Sequence, residues 1–555
     1  MAEANEIVFL PLGGVGEIGM NLGLYGYGPE DDRTWLVVDV GVTFAGPELP
    51  GIDLVLPDIS FLESEKNRIA GIVITHAHED HYGGLVHLWP LLRAPVYATP
   101  FTAGLIEAKV EGEPGAEEIP VTVVQQGQRL NIGPFDVEFV AMSHSIPEPC
   151  ALALRFKEGM VLHTGDWKID LKPGLGLPID LKRLEELGNE GVTALVCDST
   201  NAYRDGFSPS ESDVGAELTR IMREAKQRVA VTTFSSNVAR IRAIAEAAAA
   251  ADRNLVVVGR SMRRVIDVAG ELGYLDGLPP FLDEDSYGFL PREKTVLLCT
   301  GSQGEERAAL SRIAAGAHRN IALAKGDMVI FSARTIPGNE KEVGAVVNGL
   351  AKTGVQIVTD RDALVHVSGH PRRGELAELY KLVQPKVVVP VHGEPFHLAA
   401  HGEFACSQGI RSVVIAGNGD IIRLFPGDAK VIDEAPFGLM VVDGNVMGDP
   451  EMTGVKERRK LAIAGALVVS VVLNRAGDMM DDPAVALFGI PETDTEGDPM
   501  EEIVRKAVTG ALSGIPKARR KDDDMVAEAL RRAARASVTS VWGKKALCKA
   551  LVTRV

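Results

Sequence analysis

The segment His76-Ala77-His78-Glu79-Asp80-His81 places four groups able to ligate a cation, His76, His78, Asp80 and His81, within six residues. It follows the apolar run Gly71 to Thr75, which reads as a buried strand. Side chains two apart on extended chain point the same way, so His76 and His78 can share one ion. Asp80 and His81 can turn toward a second where the chain bends into a helix. Three further ligands each follow another strand: His144 in Met142-Ser143-His144-Ser145, Asp166 in His163-Thr164-Gly165-Asp166, and His392 in Val391-His392-Gly393-Glu394. Together they suit a pair of divalent cations, with His76, His78 and His144 on one, Asp80, His81 and His392 on the other, and Asp166 bridging. This nitrogen and oxygen set suits Zn²⁺ and also accepts Mn²⁺. His87, on the following helix, reads as structural.

Two such cations lower the pKa of a bound water toward neutrality and neutralise charge on a phosphate oxygen, which suits phosphodiester hydrolysis. Asp80 is expected to orient the attacking water. Asp198 is expected to orient a ligand histidine from behind. A second pattern fails its context test. Gly14-Val15-Gly16-Glu17-Ile18-Gly19, with Asp39 following 20 residues after Gly19, matches a dinucleotide fingerprint. That fingerprint needs a helix opening at the glycines, whereas Met20 to Tyr27 continues as strand and turn. A tight turn between strands is expected there, and Asp39 reads as either a support for the first ligand loop or a turn cap.

The elements that must hold these residues fall into blocks. Up to Pro209 short strands dominate, at Ile7–Pro11, Asn21–Tyr25, Trp35–Val40, Gly71–Thr75, Asp136–Ala141, Ala151–Phe156, Met160–Thr164 and Ala194–Asp198. From Ser212 to Lys352 helices and strands alternate, including a helix over Glu305–Ala315, as in a parallel sheet covered by helices. Strands resume at Val387–Val391. The expected organisation is a β-rich catalytic domain over 1–209 and 361–432, an α/β domain inserted at 210–360, a linker at 433–455, and a small α+β domain at 456–555. Within the last, helices are expected over Glu501–Ser513 and Met525–Ala536, with a charged turn or helix start at Lys517–Asp524.

The net charge of −18 argues against a nonspecific basic coat for polyanions. Residues 451–555 carry +3 and the first 450 carry −21, so the acidic bulk and the slightly basic tail are expected to do different jobs. The five cysteines are scattered and odd in number, which indicates neither a disulfide framework nor a thiolate metal site. Hydropathy offers no membrane span or export signal, and the chain reads as soluble and cytoplasmic.

The HAHEDH segment with His144, Asp166 and His392 resembles the metallo-β-lactamase fold, an αββα sandwich. The inserted domain and His366-Val367-Ser368-Gly369-His370 resemble its nucleic-acid-processing β-CASP branch. Gly301-Ser302-Gln303-Gly304-Glu305 and Pro337-Gly338-Asn339-Glu340 extend the likeness, which is greatest to the bacterial ribonuclease J family. By that resemblance Asp198, His370 and His392 hold the branch's three signature positions, and His370 is expected near the scissile phosphate as a donor or general acid. The resemblance implies a ribonuclease acting 5′ to 3′ on single-stranded RNA, preferring a 5′-monophosphate, with endonucleolytic cuts as well. It implies a terminal-nucleotide pocket formed by Ser235, Ser236, Asn237, His366, Val367, Ser368, Gly369 and His370. It also implies a homodimer or homotetramer, partners in RNA degradation, and a structural Ca²⁺ near Asp53 and Asp443.

The inserted domain's loops at Thr233–Asn237, Gly259–Ser261, Thr300–Glu305 and Ser332–Arg334 should gather on one sheet edge and offer N–H groups to phosphate. Arg260, Arg263, Arg264 and Arg334 could add charge there. A hydrolase of small thioesters or lactones would share all seven ligands but would not need the 226-residue interval between Asp166 and His392. A non-catalytic RNA-binding subunit would have lost ligands, and none is lost.

Overall fold

The computed structural model describes residues 5–336 and 338–555, so Pro337 of the Pro337–Glu340 motif lies outside the described residues. Two compact units emerge: Met1–Thr43 with Leu56–Gly438, and Phe44–Val55 with Leu439–Val555.

In the first unit an eight-stranded and a seven-stranded sheet pack face to face. Their shared core is aliphatic and aromatic, with Phe9, Tyr25, Leu36 and Val73 from one sheet meeting Phe139, Leu152, Val196 and Val389 from the other. Each such side chain, once buried, stabilises by about 1.5–3 kcal/mol. Helices Leu181–Glu190, Arg373–Val383 and Pro395–Ser407 cover the outer face of the seven-stranded sheet through Leu184, Leu376 and Ala405. The insertion is visible in the pairing. Strand Ala194–Asp198 lies parallel to Val387–Val391, although the whole inserted domain separates them in sequence.

Parallel neighbours end on the same edge, and this gathers the ligands. Strand Thr34–Val38 lies beside Ile69–Val73, delivering Asp39 and the HAHEDH segment together. Gly159–His163, Ala194–Asp198 and Val387–Val391 run parallel in the other sheet and deliver Asp166, Asp198 and His392. The Gly14–Gly19 glycines form a turn between strands Glu6–Gly13 and Leu22–Gly28, with Gly14, Gly16 and Gly19 at positive φ. Val15 and Glu17 bridge to Gly393, so this turn buttresses the His392 loop.

The inserted domain is a five-stranded, fully parallel sheet in the order Asn254–Val258, Thr295–Cys299, Val229–Thr232, Met328–Phe331, Gln356–Val358. Its post-strand loops therefore share one edge, as expected. The helix expected over Glu305–Ala315 is shorter, Ala309–Ala314. Gly301 and Gly304 hold positive φ, and buried Gln303 bonds Arg334 O and the Ile336 N–H, which keeps the preceding segment in a loop.

One buried cation fastens this domain to the returning chain. Arg240 on helix Val238–Ala250 is fully buried, forks onto Glu211, and donates to Ser332 and to Val365 O at 3.0 Å. Removing one partner of such a pair leaves the other charge buried. Arg240→Met is therefore expected to lower unfolding stability by about 3–5 kcal/mol, and adding Glu211→Leu to recover part of that loss. Denaturant unfolding checks it, and a wild-type midpoint for Arg240→Met would contradict it.

In the second unit, strands Ala484–Phe488, Ala466–Leu473 and Leu547–Arg554 form a sheet covered by helices Met500–Gly514 and Asp523–Trp542. The stretch expected as a connector contains the hairpin Leu439–Asp443 and Val446–Gly448, because Gly444 at positive φ permits a tight reversal. Lys517–Arg519 is a short 3-10 turn, and Asp522 caps the last helix. The two carboxylates expected to hold Ca²⁺ are already engaged. Asp53 accepts the Gly444 N–H and Asp443 is paired with Arg458, and neither belongs to a converging ligand group among the described residues. Among the described residues no helix is long and apolar enough to cross a membrane.

Candidate metal centre

The seven residues converge as two groups that share one carboxylate. His76, His78, His144 and Asp166 bring ligand atoms within 4.8 Å of one another, as do Asp80, His81, Asp166 and His392. Asp166 Oδ2 lies 3.7 Å from both His76 Nε2 and His144 Nε2, and 3.3 Å from His81 Nε2. Its Oδ1 faces His392 Nε2 at 3.6 Å and is buried without a hydrogen-bond partner. A carboxylate oxygen left bare in such a place fits a bridging ligand.

Four of the five ligand rings are fixed from behind. His81 Nδ1–H donates to Asp39 Oδ2 at 2.7 Å, and Asp39 also accepts the Thr75 N–H and hydroxyl. Since the Thr75 hydroxyl proton goes to Asp39, its oxygen accepts from His76 Nδ1 at 3.0 Å. His144 Nδ1–H donates to Gly369 O at 2.8 Å, and His392 Nδ1 meets Thr200 Oγ1 at 2.8 Å. Four rings therefore turn the Nε2 lone pair inward, the tautomer a cation requires. His78 presents Nδ1 instead, 3.1 Å from His76 Nε2 and 3.0 Å from His144 Nε2. Three nitrogens so close, two of them lone pairs, are satisfied together by one positive ion. The residues thus fit a pair of divalent cations held by nitrogen and oxygen donors.

The electrostatics distinguish the two groups. Burial pushes His76 and His144 well down and His78 to about 4, keeping them neutral as ligands must be. In the other group burial is outweighed. Asp166, Asp80 and Asp39 push His81 well up, and Asp166 and Asp80 lift His392 to about 9. Asp80 and Asp166 are held low by the same histidines, again against burial.

His370 sits at the edge of this centre. Its Nδ1–H donates to Asp198 Oδ2 at 2.7 Å and lies 3.8 Å from Asp166. Burial opposes its charge, but Asp198 and Asp166 raise it above the ordinary histidine range. Asp198, expected behind a ligand histidine, thus primarily holds His370. Its other oxygen accepts the Thr200 N–H at 2.8 Å, and Thr200 holds His392. Asp39, at positive φ, is the carboxylate behind a ligand ring.

The candidate RNA-binding residues divide by environment. Gly369 carries the carbonyl that fixes His144, and a Cβ there would fall 2.5 Å from the His144 ring. Ser368 Oγ accepts from Asn201 Nδ2 and from the His370 N–H. Val367 is buried, and His366 is half-buried with Nδ1 unpartnered. Burial, Arg240 and Lys168 push His366 down to about 3. Ser235 and Ser236 are half-buried before helix Val238–Ala250, and Asn237 caps that helix through the Arg240 N–H. Arg260, Arg264 and Arg334 are exposed, while Arg263 pairs with Asp283. His87 is half-buried on helix Leu85–Leu92 and belongs to neither ligand group. Sequence reasoning missed Thr75, Thr200, Asn201 and Arg240. Thr75 directly precedes His76 and Thr200 lies two residues after Asp198, whereas Arg240 carried no signal within its helix.

Comparison with known proteins covers nearly the whole chain. Residues 27–196 match the metallo-beta-lactamase superfamily, 226–350 the ribonuclease J beta-CASP domain, 354–411 the Zn-dependent metallo-hydrolase RNA specificity domain, and 453–555 the ribonuclease J C-terminal domain. Ribonuclease J of Sinorhizobium meliloti is 56% identical over 555 residues, 100% of this chain and 98% of the relative. Ribonuclease J of Mycobacterium tuberculosis is 40% identical over 94% of this chain and 92% of its own, and that of Corynebacterium glutamicum 40% over 88% and 68%. A solved protein of unknown function from Enterococcus faecalis shares the fold, with a TM-score of 0.53 and 17% identity over 76% of this chain and 100% of its own.

Proposed function

Since this chain belongs to the ribonuclease J family and is a metal-dependent hydrolase of RNA, we propose that it degrades single-stranded RNA from a 5′-monophosphate end, 5′ to 3′, and also cuts internally. RNA maturation and decay in the cytoplasm, with partner proteins and as a homodimer or homotetramer, extend this reading on family membership alone. The observation that carries it is the shared-carboxylate ligand set beside a β-CASP insertion.

His76, His78 and His144 would hold one cation and Asp80, His81 and His392 the other, with Asp166 available to both; Zn²⁺ suits the set and Mn²⁺ would be accepted. When bound, the ions supply an activated water and neutralise charge on the phosphate. Asp80, partly accessible and 3.2 Å from His392 through Oδ2, would orient the attacking water by accepting a hydrogen bond from it. Asp198 holds the His370 ring through Nδ1, leaving Nε2 to donate to the phosphate or the departing oxygen.

The Ser235–Asn237 and His366–His370 segments form the terminal pocket. Arg240 supports this, since it joins the helix after Asn237 to Val365 O. The Gly369–His144 bond would then fix the distance from terminal phosphate to cations. A small-molecule hydrolase would need neither tie.

Matched 5′-monophosphate and 5′-triphosphate single-stranded RNAs, incubated with Zn²⁺ or Mn²⁺, test the reading through mononucleotide release. Faster release from the monophosphate end is expected. Inert RNA alongside turnover of a thioester or lactone would refute it.

A further inference from the structure

One buried polar chain lies behind this machinery. Ser199, His401 and Tyr380 are all buried, with Ser199 Oγ 2.8 Å from His401 Nδ1 and Tyr380 Oη 2.6 Å from His401 Nε2. Burial holds His401 down at about 4, so a neutral ring donates through one nitrogen and accepts through the other. The surroundings, Leu376, Leu379, Ala405 and Cys197, are apolar. Apolar side chains would fill that volume without needing partners, so packing alone does not call for this chain.

Its connections are informative. Strand Ala194–Asp198 runs out into Ser199 and Thr200, where side chains point alternately to opposite sides. Asp198 and Thr200 bond His370 and His392, while Ser199, between them, bonds His401. Helix Arg373–Val383 starts three residues after His370 and carries Tyr380; helix Pro395–Ser407 starts three residues after His392 and carries His401. The Tyr380–His401 bond thus cross-ties the helices that follow the two histidines. Ser199 fastens that crossing to the tripeptide that holds both rings. The fit is close, since a Cβ on Gly393 would lie 3.3 Å from Ser199 Cβ.

We propose that Tyr380, His401 and Ser199 are positioning residues that set the Asp198–Thr200 tripeptide against His370 and His392, and so govern turnover of the fully metal-loaded protein, not RNA affinity. The inference rests on the ribonuclease reading above.

Its test compares wild type with His401→Leu, His401→Asn, His401→Gln and Ser199→Ala. The readouts are kcat and KM on a 5′-monophosphorylated RNA, bound metal per chain, and thermal unfolding. His401→Leu should lower kcat about 10–100-fold with KM within about twofold, both proteins being fully metal-loaded. Asparagine reaches the Nδ1 position and can keep the Ser199 bond, so it should restore most of kcat. Glutamine reaches the Nε2 position, keeps only the Tyr380 bond, and should not. Should His401→Leu fail to fold, Ser199→Ala carries the same expectation. A wild-type kcat in His401→Leu or Ser199→Ala would overturn the proposal. Equal losses in the asparagine and glutamine variants, tracking lost thermal stability, or a change in KM in place of kcat, would do so too. Wild-type protein inert on RNA would instead sink the ribonuclease reading itself.

Discussion

Asp166→Asn is expected to abolish RNA cleavage in a chain that still folds and still binds RNA. Asp166 is the carboxylate common to both ligand groups, approached by His76, His81 and His144 on one oxygen and His392 on the other. The amide keeps its size, so the buried volume is filled, but it removes the negative charge between two cations and turns a donor toward inward-facing lone pairs. Metal content should fall from two ions per chain to one or fewer. Metal ions supply several kcal/mol of transition-state stabilisation, and at 1.36 kcal/mol per decade the rate should fall at least about a thousandfold. Metal analysis and RNA cleavage on the same preparation check both halves. Full metal content and wild-type cleavage would remove Asp166 from its bridging place.

His370→Ala is the second large effect, with a different signature. The ring belongs to neither ligand group proposed for the cations and is held by Asp198. Its loss should leave metal content unchanged and RNA affinity nearly so, while kcat falls about 10²–10⁴-fold, the usual contribution of a positioned proton donor. Asp198→Asn should fall in the same direction, because the amide can present its NH₂ to His370 Nδ1 and favour the wrong tautomer. Single-turnover cleavage with the RNA fully bound separates chemistry from affinity. An undiminished His370→Ala rate there would eliminate the proposed role.

Much of this site was legible because its ligands announce themselves. HAHEDH is dense, and each remaining ligand follows a strand, a position that parallel pairing converts into a common edge for Asp166 and His392. The inserted domain was legible from its alternating helices and strands, and the structure places them in one parallel sheet.

What escaped was whatever depends on tertiary partners. Asp39 looked equally like a turn cap, since nothing nearby in sequence reveals His81 42 residues on. Which histidine Asp198 would hold was not legible either: the fold sets it 2.7 Å from His370, while Thr200, a residue without ionisable character, takes the Nδ1 of His392. Arg240 sits in an ordinary helix, and only the fold brings Glu211, Ser332 and Val365 around it. The overlong Glu305–Ala315 helix failed for a local reason, the glycine conformations and Gln303 bonds before it. The missed hairpin at Leu439–Gly448 lay in a stretch whose weak apolar pattern resembled a connector.

The central claim is that two cations sharing Asp166 drive RNA hydrolysis. It is tested most directly by stripping the protein of metal and restoring Zn²⁺ or Mn²⁺ in measured equivalents, while following mononucleotide release from a 5′-monophosphorylated RNA. The account predicts no release from the stripped protein and a plateau only as the second equivalent per chain is bound. A plateau at one equivalent, or full activity without added metal in protein shown to be metal-free, would contradict it.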